Sequence, residues 1–220
     1  MEPPLQVLIL DGHPDEQRLA GHLLDHYAAS LGVGATVRRI AVRDLVFDPN
    51  LRHGYSADQA WEPDLERVAA AIDACDHLVV GFPLWWGGEP MLLKGLLDRL
   101  LLPGFAFRYH RGNQFWDRLL AGRSADVIIT MDTPPWYLRT VYGDPVVRRW
   151  RRQVLGFCGF NPIRFLRFGP TRRGQAPKRI AGWHAQVAHA AATATALKRS
   201  PKPPASGRAA YAEAIVERRS

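Results

Sequence analysis

The sequence predicts an α/β protein built on a parallel sheet. Five short apolar segments of strand length alternate with segments whose apolar residues recur every three or four positions, as in amphipathic helices. Glycine and proline punctuate most of the junctions between them. Strands that alternate with helices favour a parallel sheet covered on both faces, joined by right-handed crossover connections.

The first half of the chain supplies three of these strands. Residues 5–10 form a continuous apolar run, typical of a buried parallel strand, and the spacing of apolar residues over 19–31 predicts the helix that follows. Residues 35–40 are the second strand. A helix opens at Pro63 and keeps one apolar face through position 72, and residues 77–82 are the third strand.

The second half continues the alternation after a long connection over residues 105–123. By the same criteria we expect a helix over 91–102, the fourth strand over 125–131, a helix over 146–157, the fifth strand over 163–168 and a last helix over 183–197.

Length and composition indicate one globular domain. The chain has 220 residues, of which 47% are hydrophobic and 23% charged, a balance that supports a real core and excludes collagen, coiled-coil and disordered classes. We expect the domain to span residues 1–197. A basic, proline-rich tail would follow over residues 198–220, either mobile or bound to a partner.

Charge is distributed unevenly. Lysine and arginine minus aspartate and glutamate give 13 − 19, or −6, for residues 1–145, and 16 − 2, or +14, for residues 146–220. A basic region can attract nucleic acid, an anionic surface or phosphates. No nucleic-acid recognition motif accompanies these residues, so we do not expect nucleic acid as the partner.

Several features predict a cytoplasmic protein. Cys75 and Cys158 lie among apolar or helical neighbours and are too few for a disulfide framework, so we expect them to be reduced. The most hydrophobic window, 78–102, is interrupted by residues such as Pro83 and Lys94, which argues against a membrane span. No basic segment precedes the first apolar run, as a secretory signal would require.

Ligands of open α/β sheets bind beyond the carboxyl ends of the strands. The loop after the first strand contains His13 and leads into a helix N-terminus, which favours phosphate, although it reads equally well as an ordinary turn. The loop after the third strand places Trp85 and Trp86 side by side, which suits a planar ring ligand. The alternative for this tryptophan pair is a dimer or core contact.

Metal and nucleophile sites find little support. His22 and His26 lie on one helix face, but no third ligand is near them in sequence, so we expect no metal. The sequence has no GxSxG motif, and no base is apparent for Cys158.

Four motifs together resemble the flavodoxin-like NAD(P)H:quinone oxidoreductases, which include the modulator-of-drug-activity and potassium-efflux ancillary reductases. The resemblance spans residues 5 to about 170. It rests on Gly12-His13-Pro14, on residues 82–90 (FPLWWGGEP) with Leu93-Lys94-Gly95 and Asp98-Arg99, on residues 103–107 (PGFAF), and on Thr130-Met131-Asp132-Thr133. The segment 82–90 is the most specific of the four.

This resemblance implies a flavodoxin-like, doubly wound sheet of five parallel strands in the order 2-1-3-4-5, and a homodimer. It implies FAD as the cofactor, with FMN as the alternative, and NAD(P)H as the co-substrate. The activity would be two-electron, ping-pong hydride transfer from NAD(P)H through the flavin to a quinone-like acceptor.

The same resemblance suggests which residues carry these roles. Arg18 and Leu19 stand where the family usually has serine and phenylalanine, and a guanidinium group can bind phosphate in place of a hydroxyl. The expected flavin contacts are His13, Arg18, Leu19, Pro83, Leu84, Trp85, Trp86, Gly87, Thr130, Asp132 and Thr133. Phe107, Tyr109 and Trp136 would line the substrate pocket, and Tyr137 and Tyr142 are the candidate catalytic residues.

A different class of function stays open at this point. The chain could be a flavodoxin-like regulatory or ancillary subunit with little turnover, which docks through its basic region from Val146 onward.

Overall fold

A computed structural model describes residues 3–110, 112, 114–172 and 176–204, and within them it confirms the α/β class. The strands are β1 (Leu5–Asp11), β2 (Ala35–Ala41), β3 (His77–Pro83), β4 (Phe107–Tyr109), β5 (Trp116–Arg118), β6 (Ser124–Thr130) and β7 (Ile163–Phe168). The helices are α1 (Leu19–Ala29), α2 (Pro63–Ala74), α3 (Met91–Leu100), α4 (Pro135–Thr140), α5 (Pro145–Arg149), α6 (Leu155–Cys158) and α7 (Ala176–Ala192). A 3₁₀ turn follows β2 at Val42–Asp44, and a π-helical turn at Trp150–Val154 joins α5 to α6.

Five strands form one parallel sheet in the order β2-β1-β3-β6-β7. With β6 and β7 counted as the fourth and fifth sheet strands, this is the expected order 2-1-3-4-5. The carboxyl ends of the strands lie along one side of the sheet, which we call the upper edge. Their amino ends lie along the opposite side, the lower edge.

Both faces of the sheet are covered by helices. Leu8 and Leu10 of β1 belong to one buried cluster with residues of α2, α3 and α5, whereas Val7 and Ile9 belong to a second cluster with α1 and α7. Successive side chains of a strand point to opposite faces. A strand buried on both faces therefore reads as a continuous apolar run, as residues 5–10 do.

Three elements differ from the sequence-based expectation. The connection over 105–123 contains a two-stranded antiparallel hairpin, β4–β5, and residues expected as loop form the short helix α4. The last helix begins at Ala176 and ends at Ala192, earlier at both ends than the expected 183–197. Within it, Ile180, Trp183 and Val187 share one face against the second buried cluster, so packing extends the helix toward its N-terminus.

The segment after α7 runs along the lower edge. Arg199 Nε donates to Ser124 Oγ at 2.7 Å, and Lys202 Nζ pairs with Asp76 at 2.9 Å. Residues 198–204, the first part of the expected tail, therefore contact the domain. Residues 205–220 lie outside the described residues.

A buried polar network closes the lower part of the core. The Tyr27 hydroxyl lies 2.6 Å from Asp126 Oδ2 and 2.9 Å from His77 Nε2, and Arg164 donates two hydrogen bonds to Asp126 at 2.5 and 2.6 Å. Ser124 Oγ lies 2.7 Å from His77 Nδ1. Burial lowers the pKa of His77 and outweighs the opposing effect of Asp126.

Both cysteines are buried free thiols, and burial raises the pKa of Cys75 and of Cys158 to about 12. None of the helices in the described ranges has the length and apolar character needed to cross a membrane.

Candidate functional site at the upper edge

Three loops meet at the upper edge of the sheet: the β1 loop (residues 12–18), the β3 loop (84–90) and the β6 loop (131–134). Gly12 N–H donates to the Gly81 carbonyl at 2.8 Å, and Leu84 N–H donates to the Thr130 carbonyl at 2.8 Å. These bonds connect the three strand ends, because β1, β3 and β6 are neighbours in the sheet. The expected contacts from different strands are thus brought onto one surface.

The β1 loop is organised by a buried carboxylate that the sequence reasoning did not single out. Asp11 is only 1% exposed, and its Oδ1 accepts the His13 N–H at 3.2 Å. Its Oδ2 accepts hydrogen bonds from Arg43 at 2.8 Å and Arg39 at 3.1 Å. The pair of arginines balances the buried charge, so the carboxylate can hold the loop backbone.

His13 is placed with its ring toward the β3 loop. Its Nδ1 accepts the Asp15 N–H at 3.0 Å, and the ring meets Trp85 edge-on at 5.7 Å between centroids. Burial lowers the pKa of His13 more than Asp11 raises it. The neutral ring with Nδ1 as acceptor carries its proton on Nε2, which is a donor for a ligand oxygen.

The N-terminus of α1 follows this loop directly. Arg18, the residue before the helix, makes no side-chain cap, so its side chain leaves the first-turn N–H groups to a ligand. The guanidinium instead bonds Asp15, with Nε at 2.6 Å, and this bond holds the pKa of Asp15 below its usual value. A concavity of about 580 Å³ lies beside this terminus. The terminus can hold a phosphate through N–H groups, with Arg18 at its rim.

The β3 loop turns back on itself and exposes its tryptophans. Trp85 and Gly88 exchange two backbone hydrogen bonds at 2.9 and 3.0 Å, and Trp86 and Gly87 between them have φ values of 51° and 82°. A left-handed conformation is uncommon for a residue with a side chain. Trp85 is 48% exposed and Trp86 fully exposed, so the turn presents apolar aromatic surface to the solvent.

A second carboxylate that was not singled out lies beneath this loop. The Glu89 side chain is 2% exposed, pairs with Arg149 and accepts Trp150 Nε1–H at 3.2 Å. Trp150 in turn stacks on Phe82 at 5.0 Å. Glu89 therefore ties the β3 loop to the helices that cover the sheet.

The β6 loop and α4 bring further polar and aromatic groups to the edge. Asp132 Oδ1 accepts Thr171 Oγ1–H at 2.6 Å, so part of its hydrogen-bonding capacity is used within the protein, while Thr133 is half-buried. Trp136, Tyr137 and Tyr142 form an edge-to-face series, with centroid distances of 5.5 and 5.2 Å. The two candidate catalytic tyrosines are therefore neighbours.

The other expected pocket residues lie elsewhere. Phe107 is 7% exposed and packs against Tyr109 and Phe157, with centroids 5.2 and 5.0 Å away. Phe107 and Tyr109 line a separate groove of about 410 Å³ with Tyr55 and Lys94, and none of the expected flavin contacts lines it. Within one chain, these two aromatics line a groove that does not include Trp85.

Histidines cluster at a third place. His184 of α7 stacks on His26 at 4.2 Å, and its Nε2 lies 2.9 Å from that of His22, an approach of α7 to α1 that sequence alone did not indicate. Even so, the described residues contain no group of three or more histidine, cysteine, aspartate or glutamate side chains placed to hold a metal ion.

The upper edge fits a flavin. Trp85 offers a ring face, the α1 terminus offers N–H donors for a phosphate, and Pro83, Leu84 and Gly87 belong to the end of β3 and to the loop that carries Trp85. A planar ring with a phosphate tail would take its place across these loops.

Comparisons with known proteins agree with this architecture. The model of the Flavodoxin_2 family, described as a flavodoxin-like fold, matches residues 6–191. NAD(P)H dehydrogenase (quinone) 1 of Rattus norvegicus is 33% identical over 107 residues, which cover 46% of this chain and 38% of the rat protein. The FMN-dependent NADH:quinone oxidoreductase of Ruegeria pomeroyi is 28% identical over 116 residues, which cover 53% of this chain and 56% of that protein.

A solved structure, Smu.1420 from Streptococcus mutans UA159, is 25% identical with a TM-score of 0.74 and covers 85% of this chain and 98% of its own. The chain thus spans about half or less of the length of the two curated relatives, but nearly all of this structure. Since the family model spans most of the chain and agrees with the observed sheet order, the chain belongs to the Flavodoxin_2 family, and the resemblance to flavodoxin-like NAD(P)H:quinone oxidoreductases is confirmed.

Proposed function

We propose that this protein is a flavin-dependent NAD(P)H:quinone oxidoreductase with its active site at the upper edge. The observation that carries the proposal is the meeting of three loops there, with exposed Trp85 beside His13 and the α1 N-terminus. The names of the two curated relatives point to the same reaction. The bound flavin would supply hydride chemistry, taking two electrons from NAD(P)H and passing them to a quinone.

The residues of the chain provide orientation and proton control. Trp85 and Leu84 would bind the ring, His13 and the α1 N–H groups would hold the phosphate, and Asp11 would keep the β1 loop in place through the His13 N–H. Tyr137 is the proposed proton donor, because its ring lies between Trp136 and Tyr142 at the rim. The exposed Trp136 would cover the acceptor.

We propose FMN rather than FAD, which the sequence resemblance ranks first. The relative from Ruegeria pomeroyi is named FMN-dependent. The concavity beside the α1 terminus is lined by three arginines that are paired with carboxylates: Arg18 with Asp15, Arg39 with Asp25 and Asp11, and Arg43 with Asp11. The α1 N–H groups and His13 would therefore be the main donors to the phosphate.

We also propose a homodimer in the cytoplasm. Apolar side chains stay exposed beside the site and on the groove: Trp86, Met91, Tyr109 and Tyr55. A second copy would cover this surface and bring its Tyr109 to the first copy's flavin. The two free thiols suit a reducing compartment. Analytical ultracentrifugation at micromolar concentration tests the dimer, and a sedimentation coefficient of the monomer would contradict it.

Steady-state oxidation of NADH and NADPH with a soluble quinone tests the activity, together with mass identification of the flavin that denaturation releases. We expect flavin-dependent turnover and release of FMN. Negligible turnover by protein that retains flavin would overturn the proposed enzymatic function and favour the alternative, an ancillary binding subunit. Release of FAD would overturn only the choice of cofactor.

A further inference from the structure

A third concave surface lies at the lower end of β7, away from the flavin loops. It has a volume of about 560 Å³ and is lined by Arg118, Arg151 and Arg152 together with Gly156, Phe160, Asn161, Pro162 and Ile163. Ile163 pairs with Ala125 near the amino ends of β7 and β6. The six residues of β7 separate this surface from the upper edge by about 16 Å.

The lining carries three positive charges and no carboxylate. Eleven of the twenty arginines in the described ranges have a described carboxylate within 4 Å, as Arg149 has Glu89 and Arg164 has Asp126. Arg118, Arg151 and Arg152 form no such pair with any described residue. Three exposed guanidinium groups around one concavity, with no carboxylate of the described residues within 4 Å of them, favour an anionic ligand.

The π-helical turn brings two of these arginines to the surface side by side. Leu155 N–H donates to the Trp150 carbonyl, five residues back, so the turn holds one residue more than an α-helical turn. Gly156 permits it, because a Cβ there would lie 1.9 Å from the Arg151 carbonyl oxygen. π-Helical insertions in helices occur frequently at functional sites.

Aromatic rings hold two of the three guanidinium groups in place. Arg118 lies over the Trp116 ring at 5.8 Å, and Arg151 lies over the Phe165 ring at 5.1 Å. These cation–π contacts hold each guanidinium group against an aromatic ring and limit the movement of the side chain. Arg152 has neither contact nor ion pair among the described residues, and the exposed Asn161 adds an amide donor.

We propose that this concavity binds the phosphate groups of a small polyphosphate, either inorganic or part of a nucleotide. A guanidinium group donates two parallel N–H bonds to the oxygens of a phosphate. Three guanidinium groups therefore suit a ligand with two phosphates better than a ligand with a single negative charge. The volume is that of a small-molecule site. Because the surface lies at the lower edge, its occupant is distinct from the flavin phosphate.

Isothermal titration of the full chain with inorganic pyrophosphate tests the proposal, with FMN in excess so that the upper edge is saturated. We expect one site per chain, and at least a tenfold loss of affinity in Arg151→Ala/Arg152→Ala. Arg148→Ala is the matched control, because Arg148 is an exposed arginine of the same helical stretch that does not line the concavity. We expect its affinity to stay within twofold of the parent protein.

The remaining arms identify the source of the phosphate. ADP that binds tighter than pyrophosphate and loses affinity in the same double variant would assign the site to a nucleotide, and the reverse order would assign it to inorganic polyphosphate. Equal losses in the double variant and in Arg148→Ala would overturn the proposal in favour of general charge attraction. The absence of pyrophosphate binding at millimolar concentration would also overturn it, as would an oligonucleotide that binds when pyrophosphate does not.

Discussion

Replacement of Trp85 by alanine tests the position of the flavin ring directly. Aromatic side chains bury about 150–250 Å², so 48% exposure of Trp85 leaves about 100 Å² open, of which a stacked ring covers about half. At about 25 cal/mol per Å² this area contributes about 1.2 kcal/mol, and the stacking geometry adds about 1 kcal/mol. Loss of about 2 kcal/mol corresponds to a roughly 30-fold higher Kd.

The assay is titration of the flavin-free protein with FMN, followed by the change in flavin fluorescence. Phe115→Ala is the control, because Phe115 is another exposed aromatic residue and lines neither the groove nor the concavity beside α1. We expect the Kd of this variant to match that of the parent protein. A Kd for Trp85→Ala within threefold of the parent, in a variant with an unchanged circular dichroism spectrum, would refute the stacking argument.

Three further predictions concern stability. The pKa of His77 lies below its ordinary value of 6.5, so the unfolded state binds more protons than the folded state as the pH falls. Urea titrations should therefore show that the free energy of unfolding falls as the pH drops below about 6.5. The fall should be shallower in His77→Asn. Gly95→Ala should destabilise the protein by about 1–3 kcal/mol, because its Cβ would lie 2.8 Å from a backbone carbonyl oxygen. Gly182→Ala, in open space on α7, should stabilise it by about 0.5–1 kcal/mol. Thermal melts in which both melting temperatures move in the same direction would contradict this. Glu89→Gln should lower the free energy of unfolding by about 2 kcal/mol, which is less than the loss of a fully buried pair because Arg149 is 32% exposed. A variant whose denaturant midpoint equals that of the parent protein would exclude this contribution.

The sequence predicts best those elements whose own residue types show which of their faces are buried. Residues 5–10 are apolar throughout because both faces of β1 are covered, and residues 77–82 are apolar for the same reason. The hairpin β4–β5 has strands of three residues, too short for an alternating pattern to identify them. Its pairing depends on contacts between segments of the chain rather than on local periodicity.

The candidate site also contains features that the sequence predicts and features that depend on contacts between distant residues. The parallel sheet predicts that the loops after β1 and β3 meet, and His13 does touch Trp85. The structural roles of Asp11 and Glu89 were missed, because their partners are distant in sequence: Arg43 lies 32 residues from Asp11, and Arg149 lies 60 residues from Glu89. A carboxylate at the end of an apolar strand was the available signal for Asp11.

The two buried cysteines make the chain convenient for site-specific chemistry. A thiolate is the form that reacts with maleimide dyes, and a pKa of about 12 leaves almost none of either native thiol in that form at neutral pH. A cysteine introduced at Ser200, which is exposed at the lower edge, would therefore be the single reactive thiol in the folded protein. A dye attached there would lie across the sheet from the flavin loops and could report anion binding or dimerisation without obstructing the redox site.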